Sequence, residues 1–134
     1  MTTCLFCKIV SGEIPTNKIF ENDDIFAFLD INPVNPGHTL IVPKKHFVDM
    51  SDTPEEILCK MILAAKMIGG KIMDKLGADG YNLELNNKPA AGQIVEHVHL
   101  HIMPRYSDDN LKLWPGKNAS KKELDKIAKK LLNK

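Results

Sequence analysis

The 134-residue sequence lacks a dominant charge. Its 18 Lys and Arg offset 17 Asp and Glu to a formal +1, so no global field draws it to nucleic acid or an anionic membrane, and any anion must be recognised locally. Nowhere do roughly eighteen apolar residues run together, so no spanning helix is expected, and the opening MTTCLFCKIVSGEIP has no basic region leading into an apolar export signal. The cysteines, three in number, do not make an even set. Without an export signal they suggest a reducing compartment, the cytoplasm, where thiols stay reduced or bind metal, rather than a disulfide framework. Repeats, low-complexity tracts and an interdomain linker are also missing. With 43% hydrophobic residues, the length suffices for one soluble domain with a real core.

What is present reads as a short series of strands and helices. Leu5, Phe6, Ile9 and Val10 have the spacing of a short helix, stopped by Gly12 and Pro15. KIFEN and DIFAFLD form a hairpin turning at Asn22 and Asp23, INPVNPGH is a loop, and HTLIVP is a third strand. Thr53, Pro54 and Glu56 announce a helix as cap, first residue and capping-box acid. Along it Ile57, Met61, Ala64, Ala65, Ile68, Ile72 and Leu76 recur on one face, and Gly77 ends it. Gly69 and Gly70 interrupt it at roughly 1 kcal/mol each relative to Ala, which suggests a close backbone approach. GYNLELNN and IVEHVHLHIMP are further strands around the loop KPAAGQI, and SKKELDKIAKKLLNK is an amphipathic helix docked through Leu124, Ile127, Ala128 and Leu131. This order favours the α+β class: an antiparallel sheet of about five strands with helices on one face.

His97, His99 and His101 alternate with Val98, Leu100 and Ile102. On an extended strand the three imidazoles share one face. Three readings are open. The face could simply be solvated. The row could bind metal, but at ~3.3 Å per residue His97 and His101 stand about 13 Å apart, too far for one ion to take all three unless the strand bends. Or an imidazole could act as a nucleophile, with its neighbours fixing the tautomer and attending the leaving group. The Ala-Ala-Gly-Gln turn just upstream can aim N–H groups at an anion, and phosphate is the natural candidate.

At these residues a resemblance appears. GHTLIVPKKH (residues 37–46) and AGQIVEHVHLHIMPR (residues 91–105) are similar to the signature segments of the histidine-triad (HIT) family, with His-φ-His-φ-His-φ-φ complete from His97 to Met103. EIPTNKIFENDDIFAFLDINPVNPGH resembles the family's N-terminal region. Residues 1–106 then form a HIT domain, and residues 107–134 a tail and helix of the same domain. The branch it resembles comprises Hint-like and bacterial-type hydrolases, which act on nucleotides as homodimers. The sheet is then expected to extend across a dimer.

The resemblance implies transfer of a nucleoside monophosphate through a nucleotidyl-histidine at His99. It places His101 at the phosphoryl oxygens or leaving group, and His38 in the relay that sets tautomers. Gln93 and the Gly92 backbone hold phosphate oxygens, Asp30 the ribose hydroxyls, and Asn86 phosphate or leaving group. Leu5, Phe6, Ile9, Ile14, Phe28 and Ile31 form an apolar slot for a purine base, although such residues are core in most proteins. Many Hint-like members carry Ser or Thr after the glutamine, where this chain has Ile94. Ile offers no hydroxyl to a phosphate or leaving amine, so the preference among phosphoramidate, acyl and dinucleoside polyphosphate conjugates is expected to shift.

Cys4 and Cys7 form Cys-x-x-Cys, which by itself reads as a redox pair or half a zinc site. A thioredoxin-like role wants a preceding strand that so few residues cannot supply. The resemblance implies a structural Zn²⁺ on Cys4, Cys7, His46 and His97, with no metal needed for catalysis, while Cys59 reads as a small apolar residue. Trp114 either reaches a partner subunit's site or packs along the tail. Acidic residues interleave the C-terminal lysines without an aromatic platform, so nucleic-acid binding is not expected. The rival readings are a non-catalytic, zinc-stabilised purine-nucleotide-binding or scaffold protein, and a metal-dependent His-x-His enzyme.

Overall fold

The computed structural model describes residues 3–133; Lys134, the end of the expected C-terminal helix, lies outside them. The elements run α1 (Leu5–Val10), β1 (Lys18–Glu21), β2 (Ile25–Leu29), β3 (Thr39–Pro43), α2 (Glu55–Leu76), β4 (Gly80–Leu85), β5 (Leu100–Arg105) and α3 (Lys121–Leu132), with short 3₁₀ turns at Met50–Asp52 and Pro89–Ala91. The strands pair in the order β1-β2-β3-β5-β4, antiparallel throughout. This is the expected α+β sheet.

Alternation along the central strands separates two apolar layers. Ile25, Ala27, Ile41, Leu100 and Ile102 meet Met61, Ala64, Ala65, Ile68 and Ile72 of α2. From the other face Phe26, Phe28, Leu40 and Val42 pack with Phe6 and Ile9 of α1. The long helix thus covers one face, and the short α1 lies on the opposite one, beside the histidines.

Several local expectations change. Thr53 does not cap α2: its hydroxyl donates to the Asp49 carbonyl at 2.6 Å and closes the 3₁₀ turn. Asp49 and Asp52 form that turn's capping box, and Pro54 stands at the α2 N-cap with no side-chain cap. Gly77 ends α2 in the left-handed region at φ 67°. Gly69 has a reason, because a Cβ there would run into the Tyr81 ring, whereas around Gly70 there is open space and nothing in the structure explains the glycine.

The histidine strand begins later than its alternation suggests. Regular pairing starts at Leu100, so His97 and His99 precede β5. Pro43, at the end of β3, has no N–H to offer, and its carbonyl accepts from the His97 ring rather than from a backbone donor. Helix α3 forms, capped by Ser120 and Glu123. It contributes no buried residue, however, and Leu124, Ile127 and Leu131 are exposed instead of docked.

Candidate active site and metal centre

His99 is buried, with its ring 5.0 Å from Phe6 and 4.9 Å from His101. Its Nδ1 lies 2.8 Å from the His97 carbonyl. A carbonyl can only accept, so the Nδ1 proton is committed there and the Nε2 lone pair of the neutral ring is left available. Burial pushes the His99 pKa below the usual imidazole value, which keeps that lone pair unprotonated at neutral pH.

His38 and His101 form a directed pair by the same logic. The Val34 N–H donates to His38 Nδ1 at 3.2 Å, which puts the His38 proton on Nε2. That nitrogen lies 2.9 Å from His101 Nδ1, which accepts, so the proton of neutral His101 is on Nε2. Asp30 Oδ2 is 3.7 Å from His38 Nε2, too long to compete, while Asp30 Oδ1 accepts from the Asn32 N–H at 2.8 Å. Burial lowers the His38 pKa. For His101, burial first and the neighbouring His99 and His38 next bring it to about 4.

Gly92 stands at φ 95°, and its Cα faces the Asn86 side chain. Gln93 is 7% exposed, and its amide serves the backbone. Nε2 donates to the carbonyls of Val48 (2.6 Å) and Val95 (3.1 Å), and Oε1 accepts from the Lys88 N–H (2.8 Å). Both amide protons are used, so in this structure Gln93 braces the loop and has none to give a phosphate. Ile94, at 92% exposure, points into solvent.

The residues expected to line a base slot separate. Phe6, Ile9 and Phe28 are buried together, with Ile14 at their margin. Ile9 and Ile14 also line an open groove of about 340 Å³ with Phe26 and Pro15. Leu5 is half-exposed, and Ile31, at 90% exposure, stays outside the group. On the face that carries His101, a second cleft of about 300 Å³ runs between Asn82, Glu84, Met103 and the tail residues Leu111 and Trp114.

Cys4, Cys7, His46 and His97 converge. One donor atom from each lies within 4.8 Å of all the others. His97 Nδ1 is 3.4 Å from Cys4 Sγ, 3.6 Å from Cys7 Sγ and 3.2 Å from His46 Nδ1, and Cys7 Sγ is 3.4 Å from His46 Nδ1. Tetrahedral zinc with Zn–S ~2.3 Å and Zn–N ~2.05 Å requires S···N about 3.5 Å and N···N about 3.3 Å. The cluster therefore has the dimensions of a Cys2His2 centre. His97 Nε2 donates to the Pro43 carbonyl at 2.8 Å, which turns Nδ1 toward the sulfurs in the manner of an oriented metal ligand.

The decisive partners of these rings are backbone groups: the carbonyls of Pro43 and His97 and the N–H of Val34. Every residue carries the carbonyl and all but proline the N–H, so no sequence signal singles them out.

Residues 11–108 match the HIT domain, and the chain belongs to the HIT family. An uncharacterized HIT-like protein of Methanocaldococcus jannaschii is 46% identical over 130 residues, covering 96% of this chain and 98% of that protein. The adenosine 5'-monophosphoramidase of Saccharomyces cerevisiae is 38% identical over 133 residues, covering 98% of this chain and 82% of the yeast protein. A Zn-bound histidine triad family protein from Mycobacterium smegmatis superposes with a TM-score of 0.80 at 37% identity, over 96% of this chain and 95% of that one.

Proposed function

We propose that this protein is a nucleotide hydrolase or transferase that cleaves nucleoside monophosphate conjugates of the adenylate or other purine type, through a nucleotidyl group carried on His99. One observation carries the reading: the His99 Nδ1 proton is engaged by the His97 carbonyl, so Nε2 of a buried, neutral ring is the nucleophilic atom. That lone pair forms the N–P bond at the α-phosphorus as the bond to the leaving group breaks and the leaving group departs with its electron pair. Water then attacks phosphorus as the N–P bond breaks with its electron pair returning to His99 Nε2, a proton of the water is lost to solvent, and the monophosphate is released. His101, with its remaining proton on Nε2, attends the phosphoryl oxygens or the leaving group. His38 fixes that tautomer through the 2.9 Å contact, Asp30 takes the ribose hydroxyls beside it, and Asn86 and the Gly92 backbone meet the phosphate. A monophosphoramidase activity in a relative 38% identical supports this class of substrate.

The Cys4, Cys7, His46 and His97 set would hold structural zinc, with four protein donors closing the shell. Bound there, the ion would supply a cross-link between α1 and the segment that carries His99.

Steady-state assay with a fluorogenic adenosine phosphoramidate tests the mechanism. His99→Ala is expected to lower kcat by roughly 10⁴-fold or more while the circular dichroism spectrum stays that of the parent. Turnover retained in that variant would remove the nucleophile from the scheme. Nucleotide binding with no turnover even in the parent would favour the non-catalytic reading.

A further inference from the structure

Among the described residues, two other than glycine have positive φ: Asn110 at 59° and Lys88 at 77°. Asparagine tolerates the left-handed region. Lys88, with ψ 156°, occupies a region in practice reserved for glycine, which persists only where the surroundings over-determine it. Lys88 opens the loop that ends in Gly92 and Gln93. Its carbonyl accepts from the Ala91 and Gln93 N–H groups, and its own N–H donates to Gln93 Oε1 at 2.8 Å.

Three ties bind this loop to the segment before α2. Gln93 Nε2 reaches the Val48 carbonyl, Asn87 Oδ1 accepts from the Met50 N–H at 2.8 Å, and Lys88 Nζ lies 2.6 Å from Asp49 Oδ2. Asp49 is 2% exposed and holds the Ser51 N–H and hydroxyl on its other oxygen. A carboxylate so enclosed requires a cation, and Lys88 provides it. That contact and those from Ser51 hold the Asp49 pKa at about 2.

We propose that the Lys88–Asp49 ion pair is a latch that keeps the Lys88–Gln93 loop in its strained shape against Asn86, making Lys88 a positioning residue for the phosphoryl site. The catalytic half of this inference rests on the function proposed above, and the structural half does not. Lys88 is not among the residues that touch the reacting atoms. It acts by fixing where the Gly92 backbone lies beside Asn86, and misplacement on the scale of an ångström costs such sites large factors in rate.

The test compares the parent 134-residue chain with Lys88→Met, Lys88→Arg and Lys88→Met/Asp49→Asn, the last leaving no unpaired buried charge. Hydrogen exchange at the amides of Ala91, Gly92 and Gln93 reads the latch directly. It is expected to quicken about tenfold in Lys88→Met and in the double variant, with β5 amides unchanged and Lys88→Arg near the parent rate. The kcat/KM for an adenosine phosphoramidate is expected to fall about tenfold in the same two variants and to recover in Lys88→Arg. Loop amides that exchange as in the parent overturn the latch, as does quickening in β5 to the same degree, which marks global loosening. An unchanged kcat/KM overturns the positioning role. A parent without turnover overturns the functional reading alone, and the exchange data still decide the latch.

Discussion

The chemistry of single residues here is set by what each histidine ring can no longer do. His97 gives Nε2 to Pro43, His99 gives Nδ1 to His97, and His38 receives Val34 on Nδ1. His97 and His99, equivalent in the sequence row, therefore face different partners through different nitrogens. His101 carries a pH dependence of stability with a definite sign. Its folded pKa of about 4 lies below the 6.5 of an unfolded histidine, so between these values the unfolded chain binds the proton first and stability falls as pH falls. Above pH 6.5 the contribution is fully present. His38 shifts in the same direction, so a denaturation series from pH 7.5 to 4.5 isolates His101 only through comparison with His101→Gln. A shallower loss of stability is expected in that variant, and parallel curves would contradict the assignment. The row of imidazoles and its period of two were legible in the sequence. The tautomers were not, because carbonyls and amides of the folded backbone select them. Gln93 shows the same limit: its place beside Gly92 was legible, but its commitment to Val48 and Val95 was not.

At the scale of elements, periodicity located α2 and its buried face well, since apolar residues at three- and four-residue steps have one solution against a sheet. Its start was misplaced because Thr53 had a competing partner, the Asp49 carbonyl, inside a 3₁₀ turn that leaves no periodic signal. The two central glycines look alike in sequence but have different neighbours, and the difference is measurable. Gly69→Ala drives a methyl into the Tyr81 ring and is expected to destabilise the protein by about 1–3 kcal/mol despite the better helix former. Gly70→Ala meets nothing within 4 Å and is expected to stabilise it by up to about 1 kcal/mol. Urea midpoints of the two variants check this, and equal shifts would mean that Tyr81 does not constrain the helix. Strand β5 was expected to hold all three histidines. It holds one, because the ladder to β3 gives way where Pro43 accepts a side chain.

For the whole molecule, α1 matters more than its six residues suggest. It brings Cys4 and Cys7 to His46 and His97 and lays Phe6 against both His97 and His99, so the metal cluster and the nucleophile share one support. Metal analysis of purified protein is expected to give about one zinc per chain, falling sharply in Cys4→Ser. Loss of the metal to a chelator is expected to lower the melting temperature, since binding energy at such a centre is folding energy. A zinc content indifferent to Cys4→Ser would assign the metal elsewhere. The Cys-x-x-Cys spacing was legible, and the remaining two ligands came from a likeness in motif that the geometry matches. The exposed apolar face of α3 departs from the docking that its pattern suggested, because an amphipathic pattern does not specify what covers it.

Transfer of phosphorus to His99 is open to direct observation by trapping the adduct. The enzyme is mixed with an adenosine phosphoramidate labelled in the phosphate, quenched within a turnover and mapped by peptide mass spectrometry. A nucleotidyl group is expected on the peptide bearing His99, formed faster than steady-state turnover and absent from His99→Ala. Product formation without any labelled protein, or a label on another residue, would contradict it.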